Sequence, residues 1–263
     1  MKTSFALALV LVFSFGCDRK VPEGYTSLSV APGTDPGKPN KKLNMVWLHH
    51  STGDELLKGG LRQALDQNNI NFYDINYKEA AVDGYVIGDH TDPKDFPTNF
   101  NNEKYFSKIK AWELKGDGKK HDIVMFKSCF PASDIKTDEQ FEAYKKYYLS
   151  MIPTFKNNPD ILFIGMSTPP LMKKETKTEH AKRARKWSKW LTGEYMKLAG
   201  NIKIFDLFNA LAIREGKPNE NTLVPQFGTD KYDSHPSAAG AKATARLFIP
   251  WFNRTIKESG LNK

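Results

Sequence analysis

Five short runs, LNMVWLH (43–49), INFYDINY (70–77), DIVMFKS (122–128), DILFIGMS (160–167) and NIKIFDL (201–207), set the strongest constraint on how this chain can fold. Several of them are apolar at successive positions rather than at alternate ones. A strand of that kind has to bury both of its faces, which places it inside a parallel sheet covered by helices on each side. The segments between them carry helical spacing: Asp54 to Gln67, Glu103 to Leu114, Asp138 to Phe155, Thr176 to Leu198 and Ser237 to Lys257. Thr137 followed by Gln140 reads as a capping box, and Pro153 predicts a break or kink late in the third of these helices. Strands and helices in alternation, joined by right-handed crossovers, predict a three-layer α/β/α sandwich on a mainly parallel five-stranded sheet, flavodoxin-like in arrangement.

Ahead of the first run, MKTSFALALVLVFSFGC (1–17) has a basic start at Lys2, an apolar stretch from Phe5 to Phe15, and a small residue before a cysteine. This is the form of a secretion signal, too short for a comfortable membrane span. Ser14-Phe15-Gly16-Cys17 resembles the lipobox of bacterial lipoproteins, with Ser14 where leucine is usual. The resemblance implies lipidation of Cys17, a membrane anchor at the new N-terminus, and a location outside the cytoplasmic membrane. Residues 18–42 are rich in Pro, Gly and Lys without apolar periodicity, as expected of a flexible tether. No repeat and no second linker follows, so one domain is expected over 43–263. With Cys17 lipidated, Cys129 has no intramolecular partner, and stability has to come from the core.

The 263 residues, 40% of them hydrophobic, are enough for a sizeable core, which excludes disorder for most of the chain. A formal charge of +9 favours anionic partners, but the Lys and Arg residues are spread over several segments, as on a solvated basic surface. Their densest run, Lys182, Arg183, Arg185, Lys186 and Lys189, adjoins Trp187 and Trp190. Helical spacing puts Ala184, Trp187, Leu191 and Glu194 on one face with Trp190 nearby, so the tryptophans pack on the sheet and the cations meet water. No nucleic-acid partner is expected.

In such a sheet, ligands bind beyond the carboxyl ends of the strands, where the strand order reverses. That rule sorts the polar residues: Ser51 follows the first strand, Lys127, Ser128 and Cys129 end the third, Ser167 and Thr168 end the fourth, and Asp206 ends the fifth. Two motifs carry potential chemistry, HHSTG (49–53) and DSHP (233–236). Imidazole and carboxylate suit zinc or manganese, which makes His49, His50, Asp54, Asp233 and His235 possible ligands. Adjacent strand histidines point to opposite faces, however, so at most one of His49 and His50 reaches any one site. A buried, hydrogen-bonded histidine is the commoner fate. Cys129 has no histidine near it in sequence and reads as a small buried residue rather than a nucleophile.

Together, HHSTG after the first strand and DSHP before the last helix resemble the SGNH hydrolase superfamily, the GDSL-like esterases, over nearly the whole domain. The resemblance implies acyl transfer without a cofactor or metal. Ser51 attacks the ester carbonyl, His235 takes its proton, and Asp233 orients the imidazole. It also implies an oxyanion hole, for which Gly84, with Gly88 close behind, is the second-block candidate and Ser128 a further donor. Three departures stand out: His49 and His50 replace the usual Gly-Asp before the serine, Asp233 and His235 have one residue between them instead of two, and 124–135 holds no asparagine, with Ala132 and Ser133 where one is expected. The implied substrate is an acyl ester, above all an acetyl ester on carbohydrate. A glycan-binding lipoprotein without turnover and an O-acyltransferase using the same triad are the alternatives.

Overall fold

The computed structural model describes residues 26, 35–116, 118–230 and 233–261; the signal region, Cys17 and most of the tether lie outside the described residues. β1 (Leu43–Leu48) leads into α1 (Ser51–Leu56), which continues through a π-turn (Leu57–Leu61) into α2 (Arg62–Gln67) and then β2 (Ile70–Ile75). A hairpin of β3 (Ala81–Val82) and β4 (Tyr85–Val86), then α3 (Phe96–Asn101) and α4 (Glu103–Lys110), precede β5 (Ile123–Lys127). The chain continues through α5 (Asp138–Leu149), α6 (Ile152–Lys156), β6 (Leu162–Met166), α7 (Thr178–Gly193), β7 (Ile202–Phe205) and α8 (Leu207–Leu211). A second hairpin, β8 (Gly228–Asp230) and β9 (Asp233–Pro236), delivers it to the long α9 (Ala238–Ser259).

The central sheet has the order β2-β1-β5-β6-β7, every neighbouring pair parallel. β5 and β6 are buried at every position, as their unbroken apolar runs require. Alternation along each strand divides the core in two. Val46, Leu48, Val124 and Phe126 join Phe96, Phe100, Phe163 and Trp187 on one side, while Met45, Trp47, Met125 and Ile164 join Phe205, Phe248 and Phe252 on the other.

Local rules explain most boundaries. The Thr137 hydroxyl accepts from the Gln140 amide at 3.2 Å and starts α5. The Pro153 break takes the form of a new helix: α5 ends at Leu149 and Pro153 stands in the first turn of α6, where its missing N–H costs nothing. α4 ends at Lys110, short of the predicted Leu114, and Glu113 follows in the left-handed region at φ 54°. The first helix starts three residues before the predicted Asp54, at Ser51 itself. The last part of the predicted tether rests on the domain: Asn253 donates to Asp35 at 2.9 Å and Asn69 to the Pro39 carbonyl at 2.8 Å, while Thr26 bridges to Ile213.

The amphipathic reading of α7 holds for the tryptophans, with Trp187 and Trp190 buried and stacked at 5.1 Å. It does not hold for Arg185, which is buried because Asn209, Asn221 and the Ile213 carbonyl satisfy its guanidinium, nor for Glu194, which lies exposed just past the helix end. Trp187 also meets Phe141, Tyr144 and Tyr148 edge-on. Trp187→Ala is therefore expected to lower stability by about 3–5 kcal/mol through loss of burial and a residual cavity. Urea denaturation checks this: the midpoint should fall while the slope stays unchanged.

Candidate active site

β1 sits at the reversal of the strand order, with β2 on one side and β5 on the other. The crevice beyond its carboxyl end is where such sheets bind ligands. The chain turns there at once from strand to helix: His49 N–H still donates to the β2 carbonyl of Ile75 at 3.2 Å, and Gly53 N–H already donates to His50 O at 2.7 Å. A Cβ on Gly53 would lie 2.4 Å from the His49 ring, so this turn admits only glycine at that position. Ser51 is thus the first residue of α1, and its N–H has no intrahelical acceptor.

The other half of the site arrives from the far end of the chain. A Cβ on Gly59, in the π-turn, would fall 2.1 Å from Ala241 Cβ, so the absence of a side chain lets α9 close against the first helix. The Ser237 hydroxyl caps α9 by accepting from Gly240 N–H at 3.3 Å and donates to the Gln226 carbonyl at 3.0 Å. This lays β9 beside α1. His235 Nε2 lies 2.8 Å from Ser51 Oγ, and His235 Nδ1 lies 2.6 Å from Asp233 Oδ1.

The short Asp-x-His spacing does not prevent this contact. DSHP is a strand rather than a loop, so residues two apart project to one side. Asp233 Oδ1 accepts from the His235 backbone N–H at 2.9 Å as well as meeting the ring. Partial burial pushes the Asp233 carboxyl up, but the His235 backbone and ring bonds, with Thr229, outweigh it and hold the group below its ordinary range. Phe130 stands edge-on to the His235 ring at 5.0 Å. Between the two, Ser234 accepts from Met172 N–H at 2.8 Å and donates to Glu175, tying the loop after β6 to the Asp-His strand.

The two histidines that precede Ser51 have separate roles. His49 is fully buried against Trp47, its Nδ1 3.1 Å from the His50 carbonyl and its Nε2 3.5 Å from Asp74. His50 Nε2 donates to the Gly88 carbonyl at 2.5 Å, and its ring stacks on Tyr77 at 4.0 Å. Burial and the nearby Lys127 lower the His50 pKa despite the Gly88 bond and Asp92, which favours a neutral ring beside Ser51. Among the described residues, no group of three His, Cys, Asp or Glu side chains is placed to hold a metal ion.

The oxyanion candidates fare differently. Gly84 lies exposed in the β3–β4 turn at φ 83°, and it is Gly88, through its carbonyl, that meets the site. The Gly88 N–H is already given to the Glu79 carbonyl at 3.1 Å. Ser128 is buried, and its hydroxyl donates to Cys129 O at 3.5 Å. Ala132 and Ser133 belong to the turn beyond, where Ser133 bonds Thr168 and the Pro169 carbonyl. Ser167 and Asp206 are brought together on the α8 side: Asp206 caps that helix through Asn209 N–H at 3.0 Å and accepts from Ser167 and Ser188. Sequence reasoning missed Thr52, Phe130 and the Lys127–Cys129 contact; the one available signal was a lysine ending a run buried on both faces.

This is the fold of the GDSL/SGNH hydrolases. A Bacteroides fragilis protein provisionally described as an acylhydrolase superposes with a TM-score of 0.52 at 14% identity, covering 84% of this chain and 92% of its own. A GDSL-like lipase from Bacteroides thetaiotaomicron superposes at 0.50 and 13% identity, covering 80% and 88%. Neither the family models nor the curated proteins include a match to the chain.

Gly53→Ala should test the tightness of the turn, because the new methyl group has to displace the buried His49 ring. Overpacking of this kind costs about 1–3 kcal/mol, or roughly 2–10 °C in Tm for a domain of this size. Differential scanning fluorimetry is the measurement.

Proposed function

We propose that this chain is an extracytoplasmic serine esterase, anchored to a bacterial membrane through Cys17, that removes short acyl groups, chiefly acetyl, from carbohydrate. One observation carries the catalytic part: Ser51 Oγ, His235 and Asp233 form a continuous hydrogen-bonded chain of 2.8 and 2.6 Å. Asp233 accepts from Nδ1–H, which leaves the Nε2 lone pair facing the serine hydroxyl. As Ser51 Oγ bonds to the ester carbonyl carbon, its proton passes to Nε2 and the imidazolium is stabilised by Asp233. The negative charge collects on the former carbonyl oxygen, where the Ser51 N–H is a donor. Collapse expels the alcohol, which takes the Nε2 proton, and water activated by the same nitrogen releases the acid.

The acylhydrolase and lipase descriptions of the structural neighbours support the reaction class. The signal-like N-terminus supports the location, and location together with family resemblance supports the carbohydrate ester. A glycan-binding protein without turnover is the second reading, favoured by the lack of an asparagine between residues 124 and 135.

A fluorophosphonate probe should label Ser51 alone, located by mass spectrometry, and Ser51→Ala should remain folded without labelling. Hydrolysis of an aryl acetate should fall about 10²–10⁴-fold in Asp233→Asn, because the wrong histidine tautomer then faces the serine. Absence of both labelling and hydrolysis in the wild type would favour the binding protein.

A further inference from the structure

Lys127 is the last residue of β5 and is fully buried. An ammonium group removed from water is strongly unfavourable unless a counter-charge goes with it. Among the described residues no carboxylate lies within ion-pair distance of Lys127 Nζ. What the nitrogen does meet is the Ser128 carbonyl at 3.3 Å and the sulfur of Cys129 at 3.6 Å. That sulfur is itself buried, and it lies 3.1 Å from the hydroxyl of Thr52, a fully buried residue next to Ser51. The three side chains cross the β1–β5 crevice immediately behind the nucleophile turn.

We propose that Lys127 and Cys129 form a buried ammonium–thiolate pair, and that the thiolate positions the turn carrying Ser51 by accepting a hydrogen bond from the Thr52 hydroxyl. A thiolate is a far stronger acceptor than a thiol, so the pair locks Thr52 in one rotamer, and with it the residue that carries the attacking oxygen. The electrostatics agree with the geometry. Burial pushes the Cys129 thiol up, but the Lys127 charge, the Thr52 hydroxyl and N–H, and the Phe130 N–H outweigh it and hold the thiol at about 7. From neighbouring elements the titratable group coupled to Lys127 is His50, which Asp92 also faces, and Phe130, next to Cys129 in sequence, touches the ring of His235, which Asp233 partners. Lys127 and Cys129 are positioning residues in this account, since neither is placed against the substrate.

The experiment uses the full chain as wild type, Lys127→Met, Cys129→Ser, Thr52→Val and Thr52→Ser. Thiolate absorbance in the ultraviolet is titrated as the difference between wild type and Cys129→Ser, which cancels Cys17. The expected midpoint is about 7, rising by at least about one unit toward the ordinary thiol range of ~8.5 in Lys127→Met. The kinetic arm rests on the esterase reading. Above the midpoint, Thr52→Val should lower kcat for an aryl acetate about 10–100-fold with little change in KM, and Thr52→Ser should restore it.

A wild-type midpoint at or above the ordinary thiol range overturns the pair, and so does a midpoint indifferent to Lys127→Met. Wild-type kcat in Thr52→Val overturns the positioning role. Should Lys127→Met fail to fold, the wild-type titration and the two threonine variants still decide. If the wild type neither labels nor hydrolyses, the esterase reading falls on its own and the titration still judges the pair.

Discussion

The contact on which the site depends is the approach of the last helix to the first. Gly59 lets Ala241 come within what would be a methyl group's own radius, and Gly240 does the same for the Phe227 carbonyl, where a Cβ would sit at 2.7 Å. Around these points Leu57, Leu61, Phe248 and Phe252 fill the core between helix and sheet. Apolar burial drives that closure without direction. The glycines supply the direction by fixing how far the helices can slide, and therefore where β9 lies against α1. A hydrogen bond tolerates only a few tenths of an ångström, so the 2.8 Å Ser51–His235 contact inherits its accuracy from packing some distance away.

Charge is distributed around the carboxyl edge of the sheet according to how well each group is partnered. On the α8 side Arg185 is buried, yet it bonds Asn209, Asn221 and the Ile213 carbonyl. Asp206 nearby is held by Ser167, Ser188 and Asn209. That cluster is saturated and serves the architecture of α7 and α8. Beside Ser51 the partners are sparser: the His49 Nε2 atom has no hydrogen bond of good geometry, and Lys127 has only a carbonyl and a sulfur. Incomplete satisfaction of buried polar groups is expensive, and one instance, His49 Nε2, lies in the turn that carries Ser51.

Much of this arrangement was legible in the chain. The five strand-like runs became the five strands of one parallel sheet, and the tryptophan face of α7 lies on the core. Both signals come from periodicity sustained over several residues. What escaped was short or non-local. The strands Ala81–Val82 and Tyr85–Val86 are too brief to show a period, and Phe96–Asn101 begins without a side-chain cap to announce it. Ser51, Asp233 and His235 could be nominated because two motifs flank the sheet. The oxyanion side could not, because which atom of 84–88 or 128–133 faces Ser51 depends on loop paths that no local rule encodes. Gly88 enters through its carbonyl rather than its N–H, a distinction invisible in the letter G. Lys127 was placed at the right edge, but its burial beside Cys129 follows from the strand's register.

Ser51 and His235, nucleophile and base in the proposed mechanism, lie 184 residues apart in sequence. Closing a loop of that length carries an entropic cost, and contacts so distant in sequence raise the contact order of the fold. A chain still lacking its last thirty or so residues contains the complete turn around Ser51 and nothing to take its proton. Under the proposed mechanism, a competent Ser51 therefore requires the C-terminal helix to be docked, so that reactivity of this serine would report on the integrity of a contact between distant parts of the chain.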